Sequence, residues 1–356
     1  MSLWRSMILS IAGLGLAACV QAPAPVPIGA VVVFGDSLSD VGTYQAATRS
    51  RTNPGKFTIN PSNIWVEDVA LHYGQVVRPD RSLTMDRDAS SGVTRAVGTA
   101  RVIGGNGYAE GGARVARLPS QSGIGNNRLV APVASQLERY IASNGRFSPD
   151  ELVIIDGGTN DIYAQFSAMC WGTDDNGIGA GKTTQAIADR EVERAATDLI
   201  AVVGKAKANG AGVVLVAGAI DWTDAPFGRK YLAASELATG CSQSFAPGQV
   251  KEWTASFNRT LADGVGHMPG VIVLDFATPV NAVLADPGRF GITNATEPAC
   301  TNKRPTTSAV FCTGETLAAP DAGSTYLWSD TFHPGPRLHG LIADEALRLL
   351  EPVAAP

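Results

Sequence analysis

Four side chains in this sequence have the types and settings for covalent chemistry: Ser37, Asn160, Asp330 and His333. Val31-Val32-Val33-Phe34 reads as a buried strand that stops at Gly35-Asp36-Ser37, which places a hydroxyl at the carboxyl end of a strand. In open α/β sheets that end faces the ligand crevice. Ser and Asp in this position also serve as ordinary helix N-caps, and for Ser37 alone the two readings are balanced. A serine attacks only when a base takes its proton and a third group orients the base. Asp330 and His333, three residues apart in Asp330-Thr331-Phe332-His333-Pro334-Gly335, can supply both roles from one turn. Of the four histidines, only His333 has an acid at this spacing within a Pro/Gly-flanked segment, although an isolated Asp-x-x-His also fits a cap or an ion pair. Asn160, in Gly158-Thr159-Asn160-Asp161, follows the apolar run Leu152-Val153-Ile154-Ile155 and so emerges near a second strand end, as a donor or as a turn residue. The run Asn106-Gly107-Tyr108-Ala109-Glu110-Gly111-Gly112-Ala113-Arg114 holds a glycine pair whose backbone N–H groups can approach a ligand closely. A backbone N–H beside a side-chain amide is what an oxyanion needs.

In that order, Gly-Asp-Ser-Leu, Gly-Gly-Ala-Arg, Gly-Thr-Asn-Asp and Asp-Thr-Phe-His-Pro resemble the GDSL esterase/lipase family within the SGNH hydrolases. The four blocks span most of the chain beyond its N-terminal segment. Carried over to these positions, the resemblance implies Ser37 as nucleophile, His333 as base and Asp330 as the group that orients it. The oxyanion hole would comprise the backbone N–H groups of Ser37 and Gly112 and the side chain of Asn160. Gly107 interrupts the family's usual Asn-Tyr-Ala run, so Gly111 and Gly112 both stand as the glycine donor. Ser39 stands where a Gly-x-Ser-x-Gly elbow would have its second glycine, which sets this chain apart from that class of hydrolase. No metal or organic cofactor is implied.

These groups need a scaffold that gathers strand ends. Strand patterns at 31–34, 152–155, 213–216 and 271–274 alternate with helical ones, and this alternation predicts an α/β fold with a parallel, helix-covered sheet. The resemblance sharpens this to a three-layer α/β/α sandwich with a flavodoxin-like sheet. The expected helices carry Ile64, Trp65, Val69 and Leu71 after a Ser62 cap; Val133, Leu137, Tyr140 and Ile141; residues 185–208; Val250, Trp253, Phe257 and Leu261; and a closing set from Leu338 to Leu349. Val76-Val77 is expected as a short second strand. The polar stretch 78–100 is expected as a long loop, either bordering the site or forming a surface insertion. Segments 162–184 and 221–249 leave strand carboxyl ends. Their aromatics Tyr163, Phe166, Trp171, Trp222, Phe227, Tyr231 and Phe245 either line a binding groove or pack the insertions onto the body.

The N-terminal 19 residues read as an export signal, with an apolar run too short to span a bilayer. Leu16-Ala17-Ala18-Cys19 resembles a bacterial lipobox, implying cleavage before Cys19 and lipid on its thiol; the alternative is an ordinary signal peptide. With Val20 after the cysteine, the resemblance points to the outer membrane, facing periplasm or cell surface. Residues 20–29 form a Pro/Ala tether, and 30–356 are expected as one domain with long insertions. Cys170, Cys241, Cys300 and Cys312 remain, an even set with three possible pairings, of which Cys300 with Cys312 and Cys170 with Cys241 is preferred. Their spacings match no zinc pattern. Net charge is -5 with no basic run, which gives no support to nucleic-acid binding.

The expected function is therefore hydrolysis of carboxylic esters. Lipids, short acyl esters and acylated glycans are the candidate substrates. An acyltransferase or phospholipase using the same triad, and a catalytically idle envelope-binding lipoprotein, are the alternatives.

Overall fold

The computed structural model describes residues 25–84, 86–87, 96–121, 129–171, 183–232, 248–300 and 308–356. Cys19 and Cys241 lie outside these residues, and so do Phe245 and the side chain of Trp171. Four parallel strands stand side by side in chain order: β1 (Ala30–Phe34), β2 (Glu151–Asp156), β3 (Val213–Ala217) and β4 (Val271–Leu274). Their register runs from Ala30 opposite Glu151 to Phe34 opposite Ile155, so both strands reach the same edge together. The first three strands in this order are buried on both faces almost throughout, which explains runs of Val, Ile and Leu without alternation.

Helices cover both faces. On one side pack α2 (Val133–Asn144), α3 (Thr159–Trp171), α4 (Gln185–Ala208) and α5 (Gln249–Val265); on the other, α1 (Trp65–His72), α6 (Ala277–Ala285) and α7 (Pro336–Leu350). The inner residues expected for α4, from Ala188 through Val192, Ala195, Leu199 and Val202 to Ala206, are all buried. Its N-cap is Thr184, whose hydroxyl accepts the Ile187 N–H at 3.3 Å. In α1 the cap is Ile64 instead of Ser62. The Glu67 carboxylate accepts the Ile64 N–H there at 2.9 Å, and Leu71 faces solvent, 52% exposed.

Two other expectations change. Val76-Val77 forms no strand, and Val76 is exposed. The edge of β1 is taken by Asn106–Gly107–Tyr108: the Val33 N–H donates to Asn106 O at 3.0 Å and the Tyr108 N–H to Val33 O at 2.7 Å. Gly107 also bridges to Pro79, and a Cβ on it would meet Val41 Cγ2 at 2.6 Å, so the glycine that interrupts the family run is what lets this segment lie against β1. Where the polar stretch from 78 is described, it forms two antiparallel pairs, Arg81–Leu83 with Ala100–Val102 and Asp86–Arg87 with Ala96–Val97.

A smaller parallel pair, β5 (Asn294–Pro298) with β6 (Tyr326–Trp328), stands apart from the main sheet and delivers the chain to Asp330. Val26–Pro27 pairs in parallel with Ala354–Ala355 and joins the two ends of the described chain. Among the described residues no helix is long and apolar enough to cross a membrane.

Candidate active site

The β1 strand ends under its own turn. After Phe34 the chain passes Gly35 and reaches Asp36, whose Oδ1 accepts the Leu38 N–H at 3.0 Å, while the Ser39 N–H donates to Asp36 O at 3.2 Å. Gly35 itself is fixed from the neighbouring helix: its N–H donates to Gln136 Oε1 and its carbonyl accepts from Gln136 Nε2, both at 2.9 Å. This leaves Ser37 at the end of β1, mostly buried but opening into a cavity.

His333 arrives from the far end of the chain on a tight return. Trp328 bridges to Pro334, the Ser329 N–H donates to His333 O at 2.8 Å, and the Gly335 N–H donates to Leu327 O at 2.7 Å. Inside that return Asp330 Oδ1 accepts the N–H groups of Phe332 and His333 at 2.8 and 2.7 Å. Its Oδ2 accepts the Ala309 N–H at 2.7 Å. Burial alone would raise the Asp330 carboxyl, but the neighbouring His333 and these backbone donors hold it below the usual carboxylate range. Asp330 is therefore anionic at neutral pH.

The imidazole completes the chain of contacts. His333 Nδ1 lies 2.9 and 3.1 Å from the two Asp330 oxygens, and Nε2 lies 3.0 Å from Ser37 Oγ. An ionised Asp330 keeps the ring proton on Nδ1, which leaves Nε2 free to accept from the serine. Phe57 packs on the imidazole with ring centroids 4.9 Å apart.

The glycine pair divides its work. The Gly111 N–H donates to Asp40 Oδ2 at 2.8 Å and the Gly111 carbonyl accepts from the Tyr44 hydroxyl at 2.6 Å. Gly112, at φ +86°, adopts a left-handed conformation. Among the described residues its N–H and that of Ser37 have no partner, and both residues line the cavity. Of the two glycines, Gly112 is thus the one with an open donor.

Asn160 also lines the cavity. Its amide Nδ2 donates to Ala113 O at 3.0 Å and to Asp36 Oδ2 at 3.1 Å, so both amide hydrogens already have acceptors. Donation to a developing oxyanion would be shared with one of these. Its neighbour Asp161 accepts from Arg114 Nε at 2.9 Å and from the Val115 N–H at 2.8 Å, which ties the start of α3 to the glycine segment.

The cavity, about 540 Å³, is walled by aromatic side chains. Tyr163, Phe227, Tyr231 and Phe332 line one side, Tyr44, Phe57 and Phe311 the other. Phe166 and Trp222 are fully buried behind the first group, with ring centroids 5.4 Å apart, so the aromatics of the two insertions both pack and line. Nothing in the sequence marked Tyr44, Phe57 or Phe311 as wall residues, since each lies outside the four blocks.

Cys300 and Cys312 form a disulfide, with Cα atoms 5.8 Å apart. The Cys300 N–H donates to Ser329 O at 3.0 Å, and Cys312 closes the short turn begun at Ala309. The bridge thus braces the two segments that grip Asp330. The expected pairing of Cys170 with Cys241 lies outside the described residues.

A model of the GDSL-like Lipase/Acylhydrolase family matches residues 31–346, nearly the whole chain. The chain belongs to that family. No curated protein matches it as a relative. Membership makes this GDSL protein an enzyme of ester chemistry, an ester hydrolase or acyltransferase in general terms.

Proposed function

We propose that this chain is a serine-dependent carboxylic ester hydrolase working through Ser37, His333 and Asp330. The observation that carries the reading is the unbroken line from Asp330 through His333 Nδ1 and Nε2 to Ser37 Oγ, with 3.0 Å at its last step, at the floor of the aromatic cavity. Ser37 Oγ attacks the ester carbonyl carbon as His333 Nε2 takes its proton. The carbonyl oxygen becomes an oxyanion facing the open N–H groups of Ser37 and Gly112 and the amide of Asn160. The C–O bond to the alcohol then breaks, His333 returns the proton to the leaving alkoxide, and a water activated by the same imidazole releases the acid from Ser37. Asp330 stays ionised throughout and stabilises the imidazolium.

Turnover of nitrophenyl esters from acetyl to palmitoyl, beside Ser37→Ala and His333→Ala, tests this. Loss of activity by several orders of magnitude in both variants is the expected result. The aromatic walls favour an apolar acyl or aryl group over a naked glycan. An added acceptor alcohol separates hydrolysis from transfer, because only transfer yields a new ester. Equal rates in wild type and both variants would sink the reading.

The proposal extends to location: export, cleavage before Cys19 and lipid attachment at the outer membrane. Leu16-Ala17-Ala18-Cys19 and the Pro/Ala run after it support this, and a disulfide at Cys300–Cys312 suits an oxidising compartment. Labelled palmitate should enter the wild-type protein and not Cys19→Ser.

A further inference from the structure

Two carboxylic acids that the triad does not use lie directly beneath the nucleophile. Asp156 closes β2 next to Gly35, one step beyond the last paired residues Phe34 and Ile155. A Cβ on Gly35 would sit 1.7 Å from Asp156 Oδ1, so the glycine before Asp36 is what makes room for this acid. Asp36 and Asp156 are both fully buried.

Their surroundings differ. Asp36 accepts two N–H groups, from Leu38 at 3.0 Å and from Asn160 Nδ2 at 3.1 Å. Neither oxygen of Asp156 accepts a well-formed hydrogen bond from an N–H or hydroxyl among the described residues; its side-chain neighbour is the Asp36 carboxyl, which it can bond only as a protonated acid. Two buried anions side by side repel strongly, and a buried carboxylate without donors is costly. The single negative charge therefore belongs on Asp36, where the donors are, and the proton belongs on Asp156. An apolar residue would fill a buried strand end at far lower cost, so the acid at 156 calls for another reason.

We propose that Asp156 is a positioning residue: as a neutral acid sharing its proton with Asp36, it keeps Asp36 an acceptor and thereby holds the Asn160 amide beside Ser37. This rests on the reading of Asn160 as an oxyanion donor. Burial, followed by the charge of Asp36, raises the Asp156 carboxyl well above the ordinary range, and burial raises Asp36 as well. The other ionisable groups acting on Asp36 are His333, which favours its anion, and Asp161, which is itself paired with Arg114. Asp156 thus acts on the oxyanion side of the reaction, while Asp330 acts on the base.

Steady-state kinetics on nitrophenyl butyrate with Asp156→Asn, Asp156→Leu and Ser37→Ala provide the test, with thermal melts alongside. Asp156→Leu leaves Asp36 without its donor and should lower kcat by about 10- to 100-fold, less than loss of an oxyanion donor outright, with KM within about twofold. Asp156→Asn still donates an N–H to Asp36 and should recover kcat to within about threefold of wild type. If the leucine does not fold, Asp156→Ala provides the same comparison. A folded Leu or Ala variant with wild-type kcat, or an Asn variant as slow as Leu, overturns the proposal while an inactive Ser37→Ala leaves the triad standing. Full activity in Ser37→Ala would instead overturn the triad, and the proposal with it.

Discussion

Replacing Asp330 by asparagine removes a charge and almost no volume, yet it reverses the contacts on one side of that carboxyl. Its Oδ1 accepts two backbone N–H groups, from Phe332 and His333, and an amide oxygen placed there keeps both. The amide nitrogen must then take the Oδ2 position, where it meets the Ala309 N–H at 2.7 Å and His333 Nδ1 at 2.9 Å. Against Ala309 it sets donor against donor, stranding a buried N–H at a cost of roughly 1–3 kcal/mol. Against His333 it donates to Nδ1, which moves the ring proton to Nε2, the wrong tautomer for accepting from Ser37. In a triad that loss is about 10⁴ in kcat, or roughly 5.5 kcal/mol of transition-state stabilisation. The assay is kcat/KM on nitrophenyl acetate together with the rate of fluorophosphonate labelling of Ser37, and a thermal melt to read the stability part separately. Activity within tenfold of wild type in a folded Asp330→Asn protein would refute the assignment of Asp330 as the orienting group.

Gly112→Ala places a Cβ on a residue at φ +86°; the strain of about 1–2 kcal/mol will displace the open N–H and lower kcat by about tenfold or more, read from the same ester assay. Gly158→Ala should be worse for stability than for rate, since its Cβ would come within 2.3 Å of the Phe257 ring at φ +108°, and a melt should show a drop of more than about 2 kcal/mol. Cys300→Ser opens a loop of sequence separation 12 and should cost about 3 kcal/mol, with activity falling at temperatures where the fold still holds because Ala309 and Ser329 both bear on Asp330. Burial lowers the imidazole of His339 from 6.5 to about 3, so the folded state leaves it neutral where the unfolded chain protonates it. The stability this contributes is full above about pH 6.5 and is lost as pH falls toward 3, by up to roughly 4–5 kcal/mol; Tm against pH should show that slope, and His339→Gln should flatten it.

The central sheet and the four blocks were legible in the sequence because each is local. Runs such as Val31–Phe34 and Leu152–Ile155 announce buried strands, and the inner face of α4 follows the helical period residue by residue. What was hidden depends on pairing between distant segments. The edge partner of β1 is Asn106–Tyr108, a turn-rich stretch with no strand pattern, chosen because Gly107 alone fits against Val41. The antiparallel pairs between Arg81 and Val102 are strands of two or three residues, too short to show a strand pattern. Gly111 and Gly112 could not be ranked from the sequence, since the choice turns on the Asp40 carboxylate reaching Gly111 across the fold. Asp156 follows the apolar run Leu152–Ile155 with no motif around it, and only the register that sets it against Gly35 gives it a chemical setting.

The pairing of Val26–Pro27 with Ala354–Ala355 fixes where any lipid tether would leave the body. The chain enters β1 from that end, and Ser37 opens at the other, with a strand of about 17 Å between them. Six residues lie between Cys19 and Val26, and the seven Cα–Cα steps reach roughly 25 Å at full extension. An acyl chain on Cys19 would thus hold the molecule by its base with the mouth of the cavity turned outward. Esters dissolved in the surrounding water, or presented on a surface opposite, would enter directly. Lipids of the leaflet that holds the enzyme would have to climb around it.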